Sequence, residues 1–322
     1  MSAASLLRPP RAQLLLAFLA IYVVWGSTYL GIRYAVDSMP PFLMAGSRYL
    51  VAAALLGAWI LVRNARRPAT NSPEATSVRA TSGERLIHWR DATIVGALLL
   101  VGGNGAVSWS AHRVPSGVAA LLICGTPAWM TVLDWARPGG RRPTRRVSFG
   151  LMLGVLGMAV LIGPDRLAGG GRVDPLGAAV LLLGSFCWAA GSIYSRQARL
   201  PSEPLRATVM QMVAGGALLL LLGTLMGQAR GFSFDAVTPV SWAAWIYLVI
   251  CGSLLGYTAY VWLLQHAPAA HVATYAYVNP LVAVALGWAI ASEPVTPRIL
   301  AAAVVIVGAV ALVVSGPRPA SA

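Results

Sequence analysis

The sequence predicts an all-α integral membrane protein: ten transmembrane helices built from two inverted five-helix repeats. Three observations carry that expectation. The 322 residues are 57% hydrophobic and only 11% charged, where a soluble domain carries about 25% charged residues. Apolar runs of roughly 20 residues, each long enough to cross about 30 Å of hydrocarbon, recur from Gln13 to Ser315. Tryptophans and prolines of the first half return in the second half, in the same order and at nearly constant spacing.

The first run, Gln13–Val36, follows Arg8 and Arg11 and so begins like a signal peptide. It continues through Tyr22 and Trp25, and many similar segments come after it, so it is expected to be retained as the first span. Phe42–Val62 is the second span. Residues 64–84, rich in Ala, Thr, Ser, Pro and Arg, have no apolar period and read as a flexible cytoplasmic loop. Ala92–Ala111, Gly117–Trp135 and Ser148–Ile162 complete the first half, and Pro175–Tyr194, Leu205–Met226, Ser241–Leu264, Val272–Ser292 and Ile299–Val314 make the second. The fifth and tenth runs are short, which predicts less tilt or extension into their flanks.

Charge fixes the orientation. Every basic residue is arginine. With the N-terminus inside, the cytoplasmic segments hold Arg8, Arg11, Arg63, Arg66, Arg67, Arg79, Arg85, Arg90, Arg137, Arg141, Arg142, Arg145, Arg146, Arg196, Arg199, Arg206 and Arg318. The opposite side holds Arg113, Arg166, Arg172, Arg230 and Arg298. This is the positive-inside pattern, and it places both termini in the cytoplasm and the chain in a plasma membrane, the inner membrane of a bacterium. A formal charge of +14 gathered in such loops is not the basic, aromatic-interleaved face that nucleic acid requires. The lipid bilayer is the expected partner, and a homo-oligomer stays open. Cys124, Cys187 and Cys251 lie apart within apolar runs and offer neither metal nor redox spacing. A chain without lysine has no phosphate-binding Gly-Lys-Ser/Thr loop, so ATP hydrolysis finds no support and no cofactor is expected.

The repeat is read as follows. Trp25-Gly26-Ser27 lies on Trp188-Ala189-Ala190, and the same shift puts Pro41 on Pro204 and Arg48 on Gln211. A slightly smaller shift lays Trp109 on Trp262, Pro115 on Pro268 and Pro127 on Pro280, the longer 64–84 loop accounting for the change. Five spans per half is an odd number, so the second copy stands inverted, and such halves hold a substrate near the membrane midplane.

Several residues are candidates for that place. Trp25, Thr28 and Tyr29 share a face of the first span at i, i+3 and i+4, and Tyr275 and Asn279 share one in the ninth. Polar groups away from the interfaces need partners in hydrocarbon, which argues for an inward, partly polar surface, although interhelical hydrogen bonding explains any one of them. Asn104, between Gly103 and Gly105, has a similar case. Arg48 lies well inside the second span, either anchoring an anionic group such as a substrate carboxylate or capping freed carbonyls of a neighbouring helix. Arg33 and Asp37 are placed to pair at the outer boundary. Pro127 and Pro280 each free the carbonyl four residues earlier, at Ile123 and Ala276, as helix breaks for gating or as simple packing kinks. Gly150-xxx-Gly154 and Gly252-xxx-Gly256 read as packing seams. The acids, including Asp91, Asp134 and Glu293, and all four histidines fall in loops or at span ends, so no ionisable pathway group is plain.

Trp25-Gly26-Ser27-Thr28-Tyr29 with Arg33, Pro41 and Ala45-Gly46-Ser47-Arg48-Tyr49 resemble the opening of the EamA family, the ten-helix branch of the drug/metabolite transporter superfamily. Val114-Pro115-Ser116-Gly117-Val118-Ala119-Ala120, Pro127, Ala273-Thr274-Tyr275-Ala276-Tyr277-Val278-Asn279-Pro280 and Glu293 before Pro294 extend the resemblance over nearly the whole chain. It implies two EamA-like halves, here 13–162 and 175–314, around a central cavity, and export of amino acids, other metabolites or amphipathic drug-like compounds by alternating access. The family's Gly-Glu pair is missing after the fourth span, and Ser292 stands where glycine would precede Glu293, which leaves Glu293 as the candidate for coupling. The rival reading is an integral membrane enzyme acting on lipid-like substrates; it needs clustered His, Asp or Cys at one membrane face, which the sequence does not offer.

Overall fold

A computed structural model describes residues 10–66, 82–114, 119, 122–140, 142–162, 174–291 and 296–315. Among the described residues the regular elements are helices: α1 Arg11–Val36, α2 Pro41–Ala65, α3 Ser82–Ser110, α4 Thr126–Ala136, α5 Arg145–Ile162, α6 Pro175–Ser195, α7 Pro204–Leu225, α8 Pro239–His266, α9 Ala269–Ala273, α10 Tyr275–Ala291 and α11 Pro297–Val314. By length and composition, α1, α2, α3, α6, α7, α8 and α11 can each cross a membrane. The chain is therefore a multi-pass, all-α membrane protein.

Local chemistry sets where these helices start. Pro41, Pro175, Pro204, Pro239 and Pro297 open α2, α6, α7, α8 and α11, where a missing N–H would be unpaired anyway. The side chains of Asp174, Thr238 and Thr296 cap α6, α8 and α11 by accepting from Leu176 N, Ser241 N and Ile299 N.

Three expectations about the spans need correction. The loop assigned to 64–84 is shorter at both ends, since Asn64 and Ala65 belong to α2 and Ser82–Glu84 to α3; residues 67–81 lie outside the described residues. The third helix starts ten residues before Ala92, at Ser82. Its first turns carry Arg85, His88 and Arg90, and an apolar run marks where lipid begins rather than where a helix begins. The fourth and ninth runs are each interrupted. The chain turns at Cys124–Gly125 before α4 and at Thr274 between α9 and α10.

Two long helices also depart from α geometry in their middles: Ala97–Gly105 in α3 and Leu248–Tyr257 in α8 are π-helical. A π-turn adds a residue to the i→i+4 ladder and rotates the following side chains, a device often found at functional sites.

Packing is pairwise. α2 lies on α7 and α5 on α11; α6 lies against the π-stretch of α3, and α1 against that of α8; α1 also packs on α10 and α6 on α4, while α7 meets α3 and α2 meets α8. At the α2–α7 crossing the backbones touch: a Cβ on Gly46 would stand 2.8 Å from the Gly216 carbonyl oxygen, so a larger residue would force the helices apart. The main apolar core joins Tyr49, Leu99, Leu100, Met212, Tyr257 and Tyr260, and a smaller one joins Cys124, Leu151, Tyr277 and Ile306 beneath α5 and α11. Leu15, Leu16 and Leu19 on α1, Met152 and Leu156 on α5, and Val304 and Val307 on α11 are exposed, which suits a lipid-facing perimeter.

Candidate functional site

α1, α2, α3, α4, α6, α8 and α10, with the turn before α4, surround a cavity enclosing about 710 Å³ of space, its open mouth included. All seven cavity candidates named from the sequence stand on its wall: Trp25, Thr28, Tyr29, Arg48, Asn104, Tyr275 and Asn279.

On α1, Trp25 donates from Nε1 to the Gly252 carbonyl at 3.2 Å. Its ring meets Trp188 edge-on at 5.5 Å and Tyr275 edge-on at 5.1 Å, a geometry favoured by the ring quadrupoles. Thr28 is buried, and its hydroxyl donates to the Trp25 carbonyl at 2.8 Å, so it shapes the wall more than it offers a free donor. Tyr29 packs toward Val114, Ile123 and Leu181. On α10, the Asn279 amide is oriented by its surroundings so that its nitrogen donates to the carbonyls of Tyr275 at 3.0 Å and Tyr22 at 3.1 Å, tying α10 to α1.

Arg48 is 2% exposed. Its Nη2 donates to the Tyr49 hydroxyl at 2.9 Å and to Oδ1 of Asn104, joining α2 to the π-stretch of α3. Its guanidinium lies 4.6 Å from the centre of the Tyr49 ring, and Nε is buried without a partner. It bonds no carbonyl among the described residues, so the capping alternative finds no support here. Arg196 does that work instead: its Nη1 donates to the carbonyls of Leu264 at 2.7 Å and Ala267 at 2.8 Å, closing the end of α8.

The two prolines are not equivalent. Pro280 sits inside α10, and the Ala276 carbonyl that it frees accepts the Cys124 thiol at 3.4 Å. Pro127 falls in the first turn of α4 rather than inside a continuous helix, because the chain has already turned at Cys124–Gly125. Glu293 lies outside the described residues. The expected Arg33–Asp37 pair is not found among the described ion pairs; Asp37 lies 4.0 Å from His112 instead. Gly150 and Gly154 do form a seam, against Ala309 and Val313 of α11 and against the Tyr277 ring. Gly252 does more than pack, since it is also part of the cavity wall.

Asp91, expected at a span end, is 2% exposed. It accepts from Arg90 Nε at 2.8 Å, Tyr194 Oη at 3.1 Å and the Arg199 backbone N–H at 2.7 Å, so it locks α3 to the end of α6 and is fully occupied there. Sequence reasoning missed Tyr49, Thr126, Ser185 and Tyr257 on the wall, and used Trp188 only to align the repeat. The repeat reading could have found three of them, because its shifts lay Trp25 on Trp188, Asn104 on Tyr257 and Thr126 on Asn279.

Helices long enough to cross a bilayer, closed around an aromatic and half-polar cavity, define the class: a multi-pass membrane protein with an internal binding chamber. The chain belongs to the EamA-like transporter family, whose model matches residues 12–163 and again 175–315. It is thus a membrane transporter, and the membrane-enzyme alternative falls. The chain is 34% identical over 302 residues, 93% of its length and 90% of the relative's, to the "Uncharacterized inner membrane transporter YedA" of Escherichia coli K12. It is 26% identical over 310 residues, 93% of this chain and 94% of the other, to the "Probable amino-acid metabolite efflux pump" of Salmonella typhimurium. A crystal structure 20% identical in sequence superposes with a TM-score of 0.71, covering 94% of this chain and 96% of that one, and shares the fold.

Proposed function

We propose that this transporter exports small molecules across the plasma membrane, the inner membrane in a bacterium, by alternating access. Ten spans in two inverted halves, 13–162 and 175–314, move against each other and open the cavity to one side at a time. One observation carries the reading: the contacts around the cavity come in matched pairs. Trp25 lies against Gly256, and Trp188 against Gly103. Arg48 bonds Asn104, and Gln211 bonds Tyr257 at 2.8 Å. Thr126 bonds Ser185 at 3.0 Å, and Asn279 bonds Tyr22. Each second member is the first shifted by the repeat.

Helix partnerships obey the same exchange. Swapping halves turns α3–α6 into α8–α1, α4–α6 into α10–α1 and α3–α7 into α8–α2, while α2–α7 and α5–α11 map onto themselves. That is the arrangement expected around a pseudo-two-fold axis, and the double match of one family model supports it further. Export rests on the resemblance and on the name of the Salmonella relative.

Purified protein in liposomes, tested with a panel of amino acids and organic acids, is expected to carry at least one of them down its gradient faster than protein-free vesicles do. Flux of none would sink the reading. Reporter fusions at Ala322 are expected to report cytoplasm and fusions within 168–174 the far side; an outside C-terminus would remove the ten-span plan.

A further inference from the structure

Among the described residues of the cavity wall, Arg48 carries the one formal charge. A guanidinium has five N–H donors. Two leave Nη2 for Tyr49 and Asn104, both neutral acceptors. Nε is buried without a partner, and none of the described ion pairs includes Arg48. Nη1 lies beside Gly252, where an added Cβ would stand 3.8 Å from it. A buried charge normally pairs or changes its protonation state, and arginine cannot do the second.

Among the described residues, the other half-buried arginines each hold a carboxylate or backbone carbonyls: Arg63 pairs with Glu203, Arg137 with Asp134, and Arg196 holds two carbonyls. Arg63 also leaves Nε buried and unbonded, but an acid stands beside its guanidinium. Arg48 has neither an acid nor a backbone carbonyl as partner, and it is the one at the cavity. The same wall carries the Trp25, Trp188 and Tyr275 rings, edge to face around Trp25. No described lining residue is an acid, so a substrate ammonium would find no carboxylate there.

Resting on the transporter reading, we propose that the cavity takes an organic anion, a carboxylate on a planar apolar body, in preference to a zwitterion or a cation. The oxyanion is held by the unfilled donors of Arg48 beside Gly252, and the body lies against Trp25 and Tyr275. Charge-assisted, planar pairing with carboxylate is what a guanidinium does best, and the aromatic wall supplies apolar area without adding a second charge requirement.

The test uses three probes with one ring and different charge: indole-3-acetate, free tryptophan and tryptamine. Binding is measured by calorimetry on the full-length protein in phosphatidylcholine nanodiscs, so that no anionic lipid competes. Indole-3-acetate is expected to bind at least about tenfold more tightly than tryptophan, with tryptamine weaker still, and Arg48→Gln to erase that order. Arg48→Lys, which keeps the charge but loses the planar fork, is expected to retain the order with a smaller gap. Gly252→Ala, whose new methyl group would fill space beside Nη1, is expected to weaken the anion alone. Tryptophan or tryptamine binding as tightly as indole-3-acetate overturns the assignment, as does binding of none of the three or an Arg48→Gln protein that keeps the anion preference. If Arg48→Gln does not fold, the wild-type order and the other two variants decide. Flux of the same probes in liposomes is read separately. Anion binding without any flux counts against the transporter reading alone, and preferred flux of tryptophan or tryptamine counts against the anion assignment alone.

Discussion

Arg48–Asn104 in the first half and Gln211–Tyr257 in the second occupy matching places, yet they differ in kind. Both bonds tie one helix of the α2–α7 pair to a π-helical stretch, and the residues on that pair, Arg48 and Gln211, are buried, at 2% and 0% exposure. Both also leave one buried nitrogen unbonded, Nε of Arg48 and Nε2 of Gln211. Only the first carries a charge, and only the first has both of its residues on the cavity wall. On the proposed repeat, one copy of a shared geometry would serve as packing and the other would open to a ligand. On the anion proposal, the charge is tolerable at Arg48 because the cavity lets water or an anion reach it, and that explanation can be broken from either side.

The largest effect is expected from making the halves alike. Gln211→Arg places a guanidinium at a fully buried position that is not among the residues lining the cavity, and an uncompensated buried charge costs about 3–5 kcal/mol. We expect loss of monodisperse protein in detergent, or a strongly lowered unfolding temperature. A variant as stable as the parent would mean that the cavity is not what makes Arg48 tolerable.

Asn104→Asp tests the same point by supplying the missing anion from within. The new carboxylate would sit at the Arg48 guanidinium in place of the amide oxygen. We expect anion binding to fall by at least about tenfold, roughly 1.4 kcal/mol, with stability unchanged or raised. Unchanged anion affinity would indicate that substrate charge is recognised elsewhere.

These two experiments depend on features that the sequence revealed unequally. Helical periodicity was enough to gather Trp25, Thr28 and Tyr29, because three side chains at i, i+3 and i+4 share a face whatever the fold. Tyr275 and Asn279 were legible for the same reason, and the run of hydropathy gave the long helices. Hydropathy could not show that Asp91 is wrapped by Arg90, Tyr194 and the Arg199 backbone, since those partners come from α3, α6 and the turn beyond. The π-stretches left no trace either. Ala97–Gly105 and Leu248–Tyr257 are ordinary apolar sequence, and their packing against α6 and α1 is a tertiary feature that no local pattern announces. The break at Thr274 was hidden because nothing in Ala273-Thr274-Tyr275 forbids a helix.

A smaller effect is expected on the neutral side of the comparison. Tyr257→Phe removes the hydroxyl that donates to Gln211 Oε1, leaving a fully buried amide with neither its nitrogen nor its oxygen bonded. An unsatisfied buried acceptor costs about 1–3 kcal/mol, so the unfolding temperature should drop while the order of affinities for anion, zwitterion and cation stays the same. A changed order would show that the second half takes part in charge recognition, and the distinction between the two halves would have to be redrawn.

The smallest effect concerns Glu293, and here only the sequence speaks. An ion-coupled carrier usually keeps an ionisable acid or histidine along its pathway, and no described residue of the cavity wall is either. Asp91 is saturated by three donors, and Asp134 pairs with Arg137 at 2.7 Å, so neither is poised to pass a proton. Glu293 is the acid left by the family resemblance, at the expected outer mouth of the ninth span. Alternating access itself needs no ion; it needs only that both cavity states bind substrate and interconvert. We therefore expect the protein in liposomes to move substrate down its gradient with no pH difference imposed, and Glu293→Gln to slow that movement by about two- to threefold, less than 1 kcal/mol in barrier, without stopping it. The measurement is initial flux at equal pH on both sides, repeated with an imposed gradient. Uphill accumulation driven by the pH gradient and lost in Glu293→Gln would overturn facilitated export and make this glutamate the coupling site.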